Sequence, residues 1–149
     1  MTTESQTDDT IVIERWVQAD PPKVYRYLTD SVGWTRWQGV DATIEAHPGG
    51  IFRMQMANGM LARGQFVDLV PDERVVFTWG WVDYPGCPPG SSTVEVDLIP
   101  EEDRTLIRLV HKGLAPDERP IHTMGWQHHA DRLAIVADGG DPGPDAGPG

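Results

Sequence analysis

The stretch ATIEAHPGGIFRMQMANGMLARGQFVDLVPDERVVFTWGWV, residues 42–82, constrains the fold more than any other. Apolar and polar residues alternate over short runs, which places successive side chains on opposite faces of a strand. Turn residues interrupt the alternation at HPGG, ANG and VPDER. The pattern predicts four strands joined by tight connections, hence consecutive antiparallel pairing. Asn58-Gly59 predicts a two-residue hairpin turn, since both residues tolerate positive φ. After the Pro/Gly-rich loop DYPGCPPGSS, the segments TVEVDLIP and RTLIRLVH predict one more hairpin, around EED.

The flanks read differently. IVIERWV (Ile11–Val17) is β-branched and apolar and predicts a first strand. In ADPPKVYRYLTD, Asp20 is a suitable N-cap, and Pro21 and Pro22 suit the first turn of a helix. Gly33 breaks this helical pattern, and WTRWQGV adds a second short helical turn. After KGLAPDERP, the residues Met124, Trp126, Ala130, Leu133, Ile135 and Val136 fall mostly on one helical stripe. Pro120 fits the first turn of this long helix, and Gly139-Gly140 its end. An antiparallel sheet with one solvated face must cover the other, and this helix is the element able to do so. The expected class is therefore α+β: a curved antiparallel sheet of about six to seven strands wrapped around a long C-terminal helix, with two short helices after strand 1.

At 149 residues the chain fits one domain, here bounded at residues 10–138. Residues 1–9 are polar. Residues 139–149 contain only Gly, Pro, Asp and Ala. Both are expected to be disordered tails. The formal charge is −11, and six of the 23 acids (Glu4, Asp8, Asp9, Asp138, Asp141, Asp145) lie in segments holding none of the 12 Lys and Arg. The remaining body is still acidic and has no basic cluster, which excludes nucleic acid and an anionic membrane surface as partners. No apolar run reaches the roughly 20 residues of a membrane helix. The N-terminus lacks the basic and apolar regions of a signal peptide. The single cysteine, Cys87, permits no internal disulfide, and a cytoplasmic location is expected.

The order of elements resembles the helix-grip fold of the START and birch-pollen-allergen (SRPBCC) superfamily. The motifs GGIFRMQM, GQFVDLVPDERVVFTWGW, STVEVDLIP, TLIRLVHKGL and GWQHHADRL are similar to its branch named for the activator of the heat-shock protein 90 ATPase. The resemblance spans roughly Trp16 to Leu133. It implies a space between sheet and long helix, and a role among lipid carriers, ligand-binding proteins, cyclases and co-chaperone domains. The chain is expected to act as a monomer or homodimer.

Alternation supplies a candidate ligand-binding face. Phe52, Met54 and Met56 share one side of a strand, and Phe77, Trp79 and Trp81 share another. Ile107, Leu109 and His111 form a third row. Trp126, His129, Ala130 and Leu133 form a stripe on the final helix. Trp34, Trp37 and Phe66 join the aromatic set. Such walls suit a small hydrophobic or aromatic molecule, with Arg53, Arg63 or His111 orienting a polar end. A filled core is the competing reading, with a possible protein partner bound on the outer surface instead.

A metal is not expected, nor any other cofactor. His128 and His129 are adjacent, about 100° apart on a helix, and His122 lies two turns from His129. His128 is expected in solvent, with His129 or His111 giving a polar group to the cavity and His111 paired with a carboxylate. Gly125 is expected to let the helix approach the sheet closely. For acid–base chemistry Glu45, Asp68, Glu95 and His111 are available, but no spacing singles them out. There is no nucleophile elbow, P-loop or dinucleotide fingerprint, and Cys87 has no basic neighbour to activate it. No catalytic residue is assigned, although a cyclase- or hydrolase-type enzyme using the same cavity remains an alternative.

Overall fold

The computed structural model describes residues 10–147. The expectation for residues 1–9 lies outside them. Seven strands form one antiparallel sheet: β1 (Thr10–Val17), β2 (Asp41–Ile44), β3 (Ile51–Gln55), β4 (Leu61–Val70), β5 (Arg74–Trp79), β6 (Ser92–Glu101) and β7 (Arg104–Lys112). Their spatial order is β1-β7-β6-β5-β4-β3-β2. Strands β2 to β7 pair with their sequence neighbours, as the alternation requires. The first strand instead pairs with the last, with Ile11 opposite His111. A register shift between Phe66 and Asp68 marks a bulge in β4, a device that bends a strand and raises its twist.

Two short helices, α1 (Pro21–Arg26) and α2 (Ser31–Thr35), follow β1, and the long helix α3 (Arg119–Ala137) follows β7. Asp20 caps α1 by accepting from the Lys23 amide. The interruption falls before Gly33, not at it. Asp30 caps a new helix by accepting from the Gly33 amide, and Gly33 lies inside α2. A Cβ on Gly33 would stand 3.1 Å from the Arg26 carbonyl oxygen, so the glycine serves the close approach of α2 to α1. The hairpin at Asn58-Gly59 also differs from expectation. Only Gly59 takes positive φ, +89°. The turn spans Ala57 to Gly59, and Asn58 Oδ1 accepts from the Met60 amide.

Alternate residues of the strands point to the concave face. Ile11, Ile13, Phe52, Met54, Phe66, Phe77, Val94, Val96, Ile107 and Leu109 are all buried there with Trp126, Leu133 and Val136 of α3. Trp34 and Trp37 extend this core, stacked with centroids 5.0 Å apart. The opposite face carries ion pairs, including Arg74 with Asp97 and Lys112 with Glu95.

The end of α3 turns the chain back on itself. Gly139 donates to the Val136 carbonyl and Gly140 to the Ile135 carbonyl, the paired bonds of a Schellman motif. Residues 141–147 then fold against the body rather than trailing into solvent, which corrects the expected flexible tail for the described part of 139–149. Arg132 donates to the Pro142 and Gly143 carbonyls, and the Asp145 carboxylate is buried against α3.

Candidate functional site

A cavity of about 550 Å³ lies between the sheet, α3 and the returned C-terminal segment. β5 and the loop after it supply Trp79, Trp81 and Tyr84; the β3–β4 turn supplies Met56, Ala57, Asn58 and Met60. The start of α3 contributes Glu118, Ile121, His122, Gly125, Trp126 and His129. Gln38, after α2, and Asp145, Ala146 and Gly147 close the remaining side. Of the residues expected to hold a ligand, Met56, Trp79, Trp81, Trp126 and His129 line this cavity. Trp34, Trp37, Phe52, Met54, Phe66, Phe77 and His111 do not, and they are buried in the packed core. Alternation selects the inward face of a strand but cannot say where along that face packing ends. Arg53 pairs with Asp41 and Arg63 is exposed, so neither orients a group in the cavity.

Two indole–imidazole pairs stiffen the wall. Trp126 Nε1 donates to His111 Nδ1 at 2.8 Å. His111 Nε2 therefore carries the proton and donates to Ser92 Oγ at 2.8 Å, and Ser92 donates onward to the Trp79 carbonyl. This replaces the expected carboxylate partner of His111 with a neutral chain. Burial pushes the imidazole down to about 3, helped by repulsion from His122. The arrangement is the reverse of a hydrolase dyad, because the serine oxygen receives a proton bond from the histidine. In the second pair, Trp81 Nε1 donates to His122 Nε2 at 3.0 Å, while His122 Nδ1 donates to the Glu118 carbonyl. Burial lowers the His122 pKa as well, with the Glu118 carbonyl and carboxylate opposing. Neither imidazole has a free lone pair for base catalysis. Trp79 packs among Trp81, His111, His122 and Trp126, and its buried Nε1–H has no hydrogen-bond partner among the described residues.

The polar end of the cavity is a chain of side chains far apart in sequence. Trp34 Nε1 donates to Gln38 Oε1 at 2.8 Å, which orients the Gln38 amide nitrogen toward His129 Nδ1 at 3.4 Å. His129 Nε2 then donates to Asp145 Oδ2 at 2.8 Å. His128 Nε2 lies 2.9 Å from Asp145 Oδ1, so His128 is not the solvated residue expected from the helical wheel. The Gly39 amide also donates to Asp145, at 2.8 Å. Burial opposes ionisation of Asp145, but the bonds from His129, His128 and Gly39 outweigh it and hold the carboxyl well below the usual carboxylate range.

His128, His129 and Asp145 place one ligand atom each within 4.8 Å of one another, so the angle between the two histidines on the helix does not keep them from a shared site once Asp145 joins. The Gln38 amide opposes a metal on His129. A metal on His129 Nε2 would require a proton on Nδ1, facing the Gln38 amide nitrogen that Trp34 keeps turned toward it. The donor set instead fits a carboxylate acceptor.

Sequence reasoning also placed Gly125 wrongly. A Cβ there would meet no atom within 4 Å, so the glycine leaves room in the cavity and brings no backbones together.

The family model described as Activator of Hsp90 ATPase homolog 1-like protein matches residues 18–138. The chain belongs to this family. An AHSA1-like protein from Rhizobium etli is similar at 38% identity, with a TM-score of 0.69 over 91% of this chain and 87% of that one. A Mesorhizobium loti protein shares the fold at 24% identity and a TM-score of 0.77, over 87% and 96% of the two chains. The Aha1 dimer from Colwellia psychrerythraea shares it at 19% identity and a TM-score of 0.78, over 88% and 97%. Comparison with curated proteins gives no match. Like its family, the chain carries the seven-stranded sheet closed by a C-terminal helix. Among the described residues, no helix is long and apolar enough to cross a membrane.

Proposed function

We propose that this AHSA1-family protein binds one small hydrophobic or aromatic molecule in the cavity beside α3. The supporting observation is a space of about 550 Å³ walled by Trp79, Trp81, Trp126, Met56 and Ile121. Its size falls within the roughly 300–1,000 Å³ of small-molecule sites, and apolar burial drives binding at roughly 25 cal/mol per Å² before ordering costs. The locked His111 and His122 favour holding a ligand over turning one over. Native mass spectrometry of protein purified from its own host tests the reading, together with titration of an apolar fluorescent dye. Added mass, or dye binding weakened in Trp81→Ala, supports it. A wild type that carries nothing and binds no apolar probe refutes it.

A protein-partner role of the co-chaperone kind is the second reading. It is favoured by Ile121 and Met124, neighbours on α3 that are 70% and 55% exposed. Met124→Asp would weaken such a complex and leave dye binding intact.

A further inference from the structure

The segment after α3 contains Asp141, Pro142, Gly143, Pro144, Asp145, Ala146 and Gly147, and offers almost no apolar surface. Its docking rests on polar contacts. Arg132 holds the Pro142 and Gly143 carbonyls at 3.2 and 2.8 Å. The Asp145 carboxylate, 2% exposed, fills a cradle built by other parts of the chain. Those parts are His128 and His129 on α3, the Gly39 amide after α2, and Arg132, whose Nε is 3.9 Å from Asp145 Oδ1. Without the segment, two imidazoles and the Gly39 amide would face one space with no acceptor between them, beside a guanidinium whose Nε already donates to the Trp37 carbonyl. Donors converging on one point bond most strongly to an ionised acceptor, so the cradle suits an anion of carboxylate shape.

The cradle opens on the apolar cavity, because His129 and Asp145 line both. We propose that it is a carboxylate-binding site occupied by Asp145 as an intramolecular stand-in, and that the cavity's ligand is an apolar or aromatic acid whose carboxylate displaces Asp145. This rests on the ligand-binding reading above and adds the chemical class. An acid entering here sets its carboxylate between His128 and His129 and its body against Trp126 and Trp79. The displaced segment then leaves the wall formed by Ala146 and Gly147, which widens the space for the incoming ligand. Orientation comes from behind the imidazole: Trp34 fixes Gln38, and Gln38 keeps the His129 proton on Nε2, facing the anion.

A tethered competitor at millimolar effective concentration suppresses binding of a free acid. The test uses the full chain as wild type, Asp145→Ala and Asp145→Asn. Each is titrated with 2-naphthoate and with its neutral isostere 2-naphthamide, and equal far-UV circular dichroism shows each variant to be folded. The expected result is at least a tenfold gain in naphthoate affinity in both variants, with naphthamide changed by less than about threefold. The gain should vanish when His129→Ala is added to Asp145→Ala. Naphthoate should also move the Gly39 amide proton resonance, which places its carboxylate in the cradle. Equal gains for the two probes overturn the carboxylate site while leaving a hydrophobic cavity. Unchanged naphthoate affinity overturns it also. Failure of both probes to bind any form overturns the cavity reading itself.

Discussion

Replacing Trp126 by Phe isolates one hydrogen bond of the cavity wall. Trp126 is 2% exposed, and its Nε1 donates to His111 Nδ1 at 2.8 Å. Phe retains an aromatic ring against Trp79 but leaves that nitrogen as a buried acceptor without a donor, at a cost of about 1–3 kcal/mol. The smaller ring also leaves a void, which adds roughly 1 kcal/mol. The expected loss is thus about 2–4 kcal/mol, or about 6–15 °C in Tm for a domain of this size. Urea unfolding with an unchanged slope provides the measurement. Trp81→Phe is the control. Its indole is only partly buried, so water can replace the lost donor to His122, and the penalty should stay near about 1 kcal/mol. Long-range proton–nitrogen spectra of the imidazoles should show His111 as the neutral Nε2–H form in wild type. A Trp126→Phe protein as stable as wild type, or a His111 protonated on Nδ1, would refute the assigned network.

Stability should fall as pH drops from about 7 to 5, by about 2 kcal/mol from His111 alone. The unfolded chain takes up a proton near 6.5 while the folded imidazole resists until about 3, so the contribution is complete above the first value and lost on the way to the second. His122, also lowered by burial, adds in the same direction; a flat profile over this window would contradict both. Gly125→Ala should stabilise α3 by up to about 1 kcal/mol, as helix propensity predicts when the new Cβ meets nothing, and it should weaken binding of apolar dyes by narrowing the cavity. Denaturation showing a loss of stability instead would mean that the space at Gly125 is closed. Zinc should leave the melting temperature unchanged; stabilisation by zinc that disappears in His128→Ala would disprove the His129 proton assignment.

The sheet and α3 were legible because both are repetitive. Strand alternation places Phe52, Phe77 and Leu109 inward without knowledge of their partners, and the Schellman glycines announce the helix end. The aromatic wall was half legible. Trp79, Trp81 and Trp126 lie on faces that periodicity identifies, but the same rule selected Phe52 and Phe77, which fill the core. The polar end was not legible. Gln38, Glu118 and Asp145 stand on loops or helix ends, where no period exists and the partner lies many residues away. The segment around Asp145 misled for a specific reason. Composition measures how much apolar surface a stretch can bury, and this one buries a single carboxylate through hydrogen bonds. His128 shows the same limit: a helical wheel gives the direction of a side chain but not whether another segment comes to meet it.

The pairing of β1 with β7 has a consequence for synthesis. Ile11 leaves the ribosome long before His111, its partner across the ladder. At about 5–20 residues per second, the first strand waits on the order of 5–20 s before a mate exists. Throughout that interval TIVIERWV is an unpaired, β-branched strand able to join other chains. Glu14 and Arg15 interrupt its apolar run, and in the finished protein they pair with Arg108 on β7 and Asp131 on α3. The same two charges thus guard the nascent strand against neighbouring chains and later fasten it to the last elements made.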